Sequence, residues 1–554
     1  MVPIAVAGLT AMCFLPTLSG SFLNWDDNVN FLDNPAYRGL GGPQIRWAFT
    51  SVLFGHYIPL TRLSWSLNYV LGGMDPWGYH LVNLLLHVLN AGVFYFVARR
   101  LLAAAGSVGG EPERPAADLC AAAAVAALVF GVHPLRVEPV AWISGRADLL
   151  CAMFALLAVW AYLRAVEVAG EARPALVLLS AAAFGAALLS KGVALLLPVA
   201  LILMDVHPLR RLSRLGWRPL LREKIPLLLV MLVGAGVIVW AVRDGAVLTQ
   251  GSQYDLVARI SVAAYSFLVS VFRFIWPASL SPLYEMPLRV RALEPRFGLA
   301  LGATVLTTVL LILLRRRWPG GLAAWTFSAL MLVPTSMAVR MGADLAPDRY
   351  TYLSGLGFAV LAGGAALGVG RLVRQGVIDR SKGWAAALAS LVAITGLGFT
   401  SWSFSQVWTR SETLWRWAVE LDPDCSVCHG KLGESALGGP GGASRAVEAE
   451  GLFRRAIALR PDLPDAYFNL GTALVVQGRL AEAEAPLRSY MERIPVTRLR
   501  QALAREPDAP GLRGQLVQSL RDHAGRLHAL GRSTEAEALL AEARALESGW
   551  PAAR

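Results

Sequence analysis

The chain has 554 residues, 55% of them hydrophobic and only 16% charged, with a mean hydropathy of +0.49 and a net charge of +12. Soluble domains carry about 25% charged residues, so the composition excludes a chain that is soluble throughout and indicates a polytopic membrane protein. The basic balance does not mark a nucleic-acid partner. Much of the Arg and Lys lies in short loops between apolar segments, where it encodes membrane orientation, and no nucleic-acid module is recognisable.

The first apolar segment, Val2 to Leu18, has no cleavable-signal pattern and is expected to stay as an anchor. Directly after it comes Trp25-Asp26-Asp27-Asn28, opening a polar loop that runs to Gly78. Two adjacent carboxylates at a membrane surface are costly to desolvate and are rarely placed there for packing. Asp26 and Asp27 are therefore candidate catalytic groups, as a general base or as ligands of a divalent metal such as Mg or Mn. A cap or turn role is the plain alternative. The loop also holds Tyr57, Arg62 and two amphipathic stretches around Trp47 and Trp65, expected to rest on the membrane surface.

Spans of about 17–25 residues are expected near 2–18, 79–98, 117–132, 148–166, 175–190, 192–206, 225–242, 297–314, 321–339, 351–370 and 384–402. In the second of these, His80, Asn83 and His87 share one helix face, which favours hydrogen bonding between helices over metal ligation. The loop His133 to Asp148 follows the third span and contains Glu138, Arg136 and Arg146. Its guanidinium groups suit either phosphate oxygens or an acidic partner that orients the loop. Lys191 sits in the Ser190-Lys191-Gly192 turn of a helical hairpin, where it meets lipid phosphate or pairs internally. Arg349 and Tyr352 lie in Pro347 to Ser354, beside the tenth span.

Five basic loops, including His207 to Lys224 and Arg315 to Arg317, share the cytoplasmic side only if Val257 to Trp276 does not cross. That stretch is therefore read as interfacial or re-entrant, leaving eleven crossings. The acidic pair, the His133–Asp148 loop, the Met341–Tyr350 loop and the C-terminal region then face the exoplasmic side. An Ala- and Arg-rich composition fits a bacterial source, hence a multi-pass protein of the inner (cell) membrane with a periplasmic face. Cations gathered around a carboxylate pair suit stabilisation of a phosphate leaving group while a base activates an acceptor.

Beyond Trp402 the character changes, so residues 1–402 are expected to form the membrane domain and 403–554 a soluble helical domain. Leu432-Gly433 recurs as Leu470-Gly471, and Pro461 to Pro495 spans the 34-residue period of tetratricopeptide (TPR) helix pairs. Tyr467, Leu470, Gly471, Leu474, Gly478 and Ala483 match that pattern, and a looser unit runs through His523 to Leu546. Three units are about the minimum for a stable stack. Such repeats bind extended protein segments; a lid or spacer is the alternative. Cys425-Ser426-Val427-Cys428-His429 is a literal haem-attachment pattern. Cys428 and His429 align with Ala466 and Tyr467 of the next repeat, so packing is favoured, with a bridged cysteine pair next and haem last.

Taken in order, several of these stretches resemble the transmembrane-and-TPR O-mannosyltransferase-like proteins of the C superfamily of glycosyltransferases (GT-C). They are Asn24 to Asn28, Tyr57-Ile58-Pro59-Leu60, Gly78 to His87, His133 to Asp148, Ser190-Lys191-Gly192, Asp348 to Leu353 and the terminal repeats. The usual Tyr-Arg-Pro-Leu reads Tyr57-Ile58-Pro59-Leu60 here, with Arg62 close by. The resemblance implies a mostly α, GT-C-like membrane domain followed by a TPR α-solenoid. It further implies an inverting transferase that takes a sugar, mannose in the family name, from a polyprenyl-phosphate carrier in the membrane lipid. The acceptor would be a protein or peptide held by the repeats. Asp26 would be the base and Asp27 a neighbour that orients the acceptor or tunes the pKa, while Lys191, Arg146 and Arg349 would hold the carrier phosphate. Tyr57, Arg62, His80, His133, Glu138 and Tyr352 would complete the substrate site, and the sugar would pass through an oxocarbenium-like state. The rival readings are a non-catalytic membrane-anchored TPR scaffold for envelope proteins, and a transporter, which the concentration of charge in loops disfavours.

Overall fold

A computed structural model describes residues 1–106, 115–167, 173–244, 255–287, 290, 294–336, 344–439, 441–493, 499, 503, 510–529 and 532–548. Among the described residues the fold is helical, with two isolated β-bridges, Leu53 to His56 and Glu285 to Asp344. The chain divides into two units, the larger drawn from residues 1–414 and the smaller built on Trp415–Arg554.

Each of the eleven expected segments contains helix among its described residues, although several helices are shorter than a full span and residues 337–339 of the ninth segment lie outside the described residues. The helices of the first unit are α1 (Val2–Phe14), α2 (Gly42–Thr50), α3 (Pro59–Gly72), α4 (Pro76–Gly106), α5 (Ala116–Gly131), α6 (Arg146–Ala165), α7 (Pro174–Ser190), α8 (Leu197–Val206), α9 (Ile225–Asp244), α10 (Leu256–Ile275), α11 (Pro295–Leu313), α12 (Pro319–Leu332), α13 (Leu356–Arg374) and α14 (Arg380–Val407). Proline opens α3, α7, α11 and α12, where its missing N–H costs nothing and its fixed φ suits the first turn.

Among the described residues, eight helices are long and apolar enough to cross a membrane, or nine if α5 and Pro134–Ala141, bent by 56°, count as one span. Seven of the eight coincide with expected crossings. The eighth is α10, the stretch read from sequence as interfacial. Its second half runs beside an extended segment: Ser266 Oγ donates to the Leu345 carbonyl at 2.5 Å and Arg273 Nη1 to the Ala346 carbonyl at 2.8 Å.

α4 lies at the centre of the first unit. His87 bridges the Tyr352 hydroxyl at 2.7 Å and the Gly131 carbonyl at 2.8 Å, and Asn90 donates to Leu149 O at 3.0 Å. At the far end of α6, Asp205 is fully buried against Tyr162, Arg211 and Lys224, with Arg211 also bidentate to Glu223 at 2.8 Å. A buried charge is tolerable only when paired and hydrogen-bonded in this way.

α14 runs through residue 402 to Val407, and α15 (Ser411–Leu421) leads into the second unit. That unit contains three helix pairs: α16 (Ser426–Gly438) with α17 (Ala446–Leu459), α18 (Pro464–Val476) with α19 (Leu480–Arg493), and α20 (Pro510–Ala529) with α21 (Ser533–Ser548). The repeat signature has a direct packing reason. A Cβ on Gly433 would stand 2.6 Å from the Phe453 ring, and one on Gly471 2.6 Å from Leu487. Only glycine lets the second helix of each pair come so near. Cys425 and Cys428 are buried and joined as a disulfide, with Cα atoms 5.3 Å apart. The motif is therefore bridged as well as packed.

Candidate active site

The two members of the acidic pair have different surroundings. Asp27 is fully buried: Oδ1 accepts from Ser144 Oγ at 2.6 Å and Ser144 N at 3.2 Å, and Oδ2 accepts from Leu23 N at 3.0 Å. Ser144 Oγ in turn accepts from Asn30 Nδ2 at 2.9 Å. Desolvation, reinforced by the neighbouring Asp26 charge, pushes the Asp27 carboxyl up to about 7 despite those three hydrogen bonds. Asp27 thus pins the first loop to the loop before α6. Asp26, half-buried, is the member left near the surface.

Both oxygens of Asp27 are engaged by donors, and among the described residues no group of three His, Cys, Asp or Glu side chains is arranged to hold a metal ion. So engaged, the pair does not fit a divalent metal site.

Arg146, expected at the phosphate, is instead wholly interior. Nε donates to Asn83 Oδ1 at 2.9 Å, Nη1 to Ser64 O at 3.2 Å and Nη2 to Tyr79 O at 2.8 Å. A guanidinium that donates to three neutral acceptors staples α3, α4 and α6 together. His80 is buried so tightly against Gly20 that a Cβ there would lie 2.6 Å from Nε2. His133 caps the following 3-10 turn through Nδ1 at 3.2 Å, reaches Phe274 O at 2.9 Å, and stacks on the Phe274 ring. These residues brace the site from behind. Arg62 plays a similar part on α3. It donates to Ser51 O at 2.5 Å beside the Trp47 ring, and burial lowers its pKa to about 10, still charged at neutral pH. Tyr57, just before α3, is half-buried.

The remaining expected residues converge. Lys191 pairs with Asp148 at 2.6 Å, realising the internal alternative for this lysine. Arg349 pairs with Glu138, whose other oxygen accepts the Arg349 backbone N–H at 2.8 Å, and Asp344 stands 3.6 Å from the same guanidinium. Burial raises Asp344 to about 7 against the Arg349 charge, and Asp348 to about 7 against Arg273 at 3.1 Å. Surrounded by these acids, Arg349 is held well above its usual pKa. The ring of Tyr350 joins the two halves, 5.9 Å from Lys191 Nζ and 5.2 Å from the Arg349 guanidinium. Arg349 also lies 5.5 Å from the Trp142 ring, two residues before the Ser144 that holds Asp27. Tyr352 lies inside, bound by His87 and Asn90. A small cavity of about 30 Å³ lies between α10, the end of α12 and Leu345–Tyr350, with Tyr350 in its wall.

Sequence reasoning found the ends of these contacts better than the contacts themselves. It did not single out Ser144, Asn30, Asn90 or Asp344. Ser144 stood inside a loop already marked, as a small hydroxyl residue between Ile143 and Gly145, but nothing local links it to an aspartate 117 residues away.

A tetratricopeptide-repeat family model matches residues 452–485. The human protein O-mannosyl-transferase TMTC1 is 32% identical over 173 residues, 29% of this chain and 18% of that protein. Drosophila melanogaster protein O-mannosyl-transferase Tmtc3 is 39% identical over 139 residues, 24% of this chain and 15% of its own length. Human protein O-mannosyl-transferase TMTC4 is 36% identical over 183 residues, covering 29% and 23%. The chain thus spans less than a quarter of each of these relatives. ArnT from Cupriavidus metallidurans, solved bound to undecaprenyl phosphate, aligns over 90% of this chain and 79% of its own at 16% identity, with a TM-score of 0.37. In sequence, this multi-span helical chain with a terminal TPR unit is similar over part of its length to the TMTC protein O-mannosyl-transferases.

Proposed function

We propose that this chain is a membrane glycosyltransferase that moves a monosaccharide, mannose by analogy with its relatives, from a polyprenyl-phosphate carrier to a hydroxyl of an exoplasmic protein or peptide acceptor. The observation that carries the reading is the division of the acidic pair. A buried Asp27 fixes the loop, leaving Asp26 near the surface, and two cations meet at Tyr350 on the elements that Ser144 and Trp142 connect to it.

In this reading Asp26 takes the proton of the acceptor hydroxyl, whose oxygen attacks the anomeric carbon from the face opposite the phosphate. The bond from that carbon to the phosphate oxygen breaks, and the electron pair leaves with the carrier phosphate. Lys191 and Arg349 answer the charge gained there. Each has N–H groups beyond those given to Asp148 and Glu138, since an ammonium carries three and a guanidinium five. Arg146, wholly buried, is given the stapling role in this reading in place of the phosphate contact.

The side of the membrane is part of the proposal. Charge in the loops favours an exoplasmic, periplasmic site, and a disulfide at Cys425–Cys428, at home in an oxidising compartment, is consistent with the same side for the TPR unit. In this reading α10 lies along that face rather than crossing, which keeps the basic loops together on the other side.

The test supplies radiolabelled polyprenyl-phosphate mannose and an envelope-protein extract to membranes containing wild type, Asp26→Asn or Asp27→Asn. Transfer should fall at least a hundredfold in Asp26→Asn, the lower range for a lost general base. Full transfer by that variant at equal expression removes Asp26 from the role. No transfer by wild type from any lipid-linked sugar leaves the scaffold reading in its place.

A further inference from the structure

The strand of backbone leading to Asp26 is held at three points, and two of them lie at the opposite end of the first unit's sequence. Ser21 N donates to Thr409 O at 2.9 Å and Ser21 Oγ to the same carbonyl at 3.1 Å. Leu23 N goes to Asp27 Oδ2 at 3.0 Å, and Asn24 N donates to Ser411 Oγ at 3.0 Å. Three of the four amides from Ser21 to Asn24 therefore have fixed partners, and Asp26 follows two residues later.

The partners are themselves rigidly placed. Thr409 and Ser411 flank the exit of α14, the last helix of the first unit long enough to span. α14 passes α1 so closely that a Cβ on Gly398 would stand 2.9 Å from Cys13 Sγ. Farther along, Ser401 Oγ donates to Val132 O at 2.7 Å, tying the same helix to the start of the His133–Asp148 loop. One helix thus anchors both loops that Asp27 and Ser144 then join. Holding a contact across 387 residues of sequence costs chain entropy that only such packing offsets.

We infer that Ser411, with the Thr409 carbonyl, is a positioning residue for the base: it clamps Ser21–Asn24 so that the Asp26 carboxylate stays in line with its acceptor. The catalytic meaning rests on the proposed transferase reading; the clamp itself does not. Misplacing a catalytic group by a fraction of an ångström lowers turnover before it lowers binding, so the signature is kinetic.

The experiment compares full-length wild type, Ser411→Ala, Ser411→Thr and Thr413→Ala. Thr413 caps the same junction through Val407 O and Arg410 O without touching Ser21–Asn24, and serves as the control. Two readouts are taken: transfer kinetics, and hydrogen exchange of the peptide covering residues 21–27. Ser411→Ala should lower kcat about five- to tenfold, the worth of one lost hydrogen bond, with donor KM unchanged. It should also speed exchange at residues 21–27. Ser411→Thr, which restores the hydroxyl, should recover both, and Thr413→Ala should change neither.

Unchanged exchange in Ser411→Ala overturns the clamp. Faster exchange with wild-type kcat overturns its positioning role, as does a loss that Thr does not rescue. A wild type that transfers no sugar overturns the transferase reading and the catalytic meaning together, while exchange still decides whether the clamp exists.

Discussion

Replacing Asp27 with Asn tests the buried half of the acidic pair through a sign rather than a size. The Asp27 carboxyl titrates near 7 in the folded chain, against about 3.9 for an unfolded aspartate. Between those values the unfolded chain has lost the proton and the folded chain keeps it, so stability falls as pH rises through the window and is level above it. From pH 5 to pH 8 this group alone removes about 3 kcal/mol, roughly two pH units at 1.36 kcal/mol each. Asn cannot ionise and escapes that loss. Its amide nitrogen must, however, face either Leu23 N–H or Ser144 N–H, leaving one buried donor unmet at about 1–3 kcal/mol. Asp27→Asn should therefore be less stable than wild type at pH 5 and equal or more stable at pH 8. Thermal unfolding of purified protein in detergent, followed through the fluorescence of the 17 tryptophans, gives the four midpoints. Asp344 and Asp348, also raised to about 7, are present in both proteins and cancel in the subtraction. A wild-type advantage that grows from pH 5 to pH 8 refutes the argument, since it means that Asp27 is ionised and stabilising in the fold.

Two further substitutions probe the supports around it. Lys191→Met leaves Asp148 nearly buried without its partner and should cost about 3–5 kcal/mol; adding Asp148→Asn should return most of it, and a single variant as stable as wild type would show that the pair carries nothing. Gly363→Ala puts a Cβ 2.5 Å from the Ala122 carbonyl, where α13 meets α5 and neither backbone can yield, so about 1–3 kcal/mol is expected to be lost. Gly364→Ala, whose nearest neighbour would be Leu102 Cδ2 at 3.7 Å, should unfold like wild type, and equal midpoints for the two variants would disprove the packing argument.

Much of the fold was legible because hydropathy is additive along the chain. Every apolar run marked as a crossing contains helix among the described residues, and the Gly433 and Gly471 spacing foretold where the following helix comes close. What hydropathy cannot do is separate a helix that crosses from one that lies along a face, because both bury an apolar stripe; α10, read from sequence as interfacial, is long and apolar enough to span. Nor does the run of apolar residues fix helix length: α7 and α8 are shorter than a full span although their apolar runs are nearly continuous. In the site, Arg146 and Asn83 were each noticed and never connected, since the hydrogen bond between them spans 63 residues and depends on how α4 and α6 cross. An exposed-loop arginine and an interior staple look alike in one dimension.

The acidic pair makes the same point in reverse. Successive residues in a turn point in different directions, so Asp26 and Asp27 could never share one set of partners. Once the fold directs Asp27 inward, its carboxyl oxygens must find donors there, and these come from Leu23 and from Ser144 on another loop. The cost of desolvating one carboxylate thereby becomes a constraint on the backbone that carries the other. The clamp at Thr409 and Ser411 constrains the same backbone from the opposite side. Asp26 sits between two restraints that share no residue except the strand itself, so weakening either alone should loosen the base without unfolding the helices. Their joint removal, Ser411→Ala with Ser144→Ala, would then lower turnover by more than the product of the single losses.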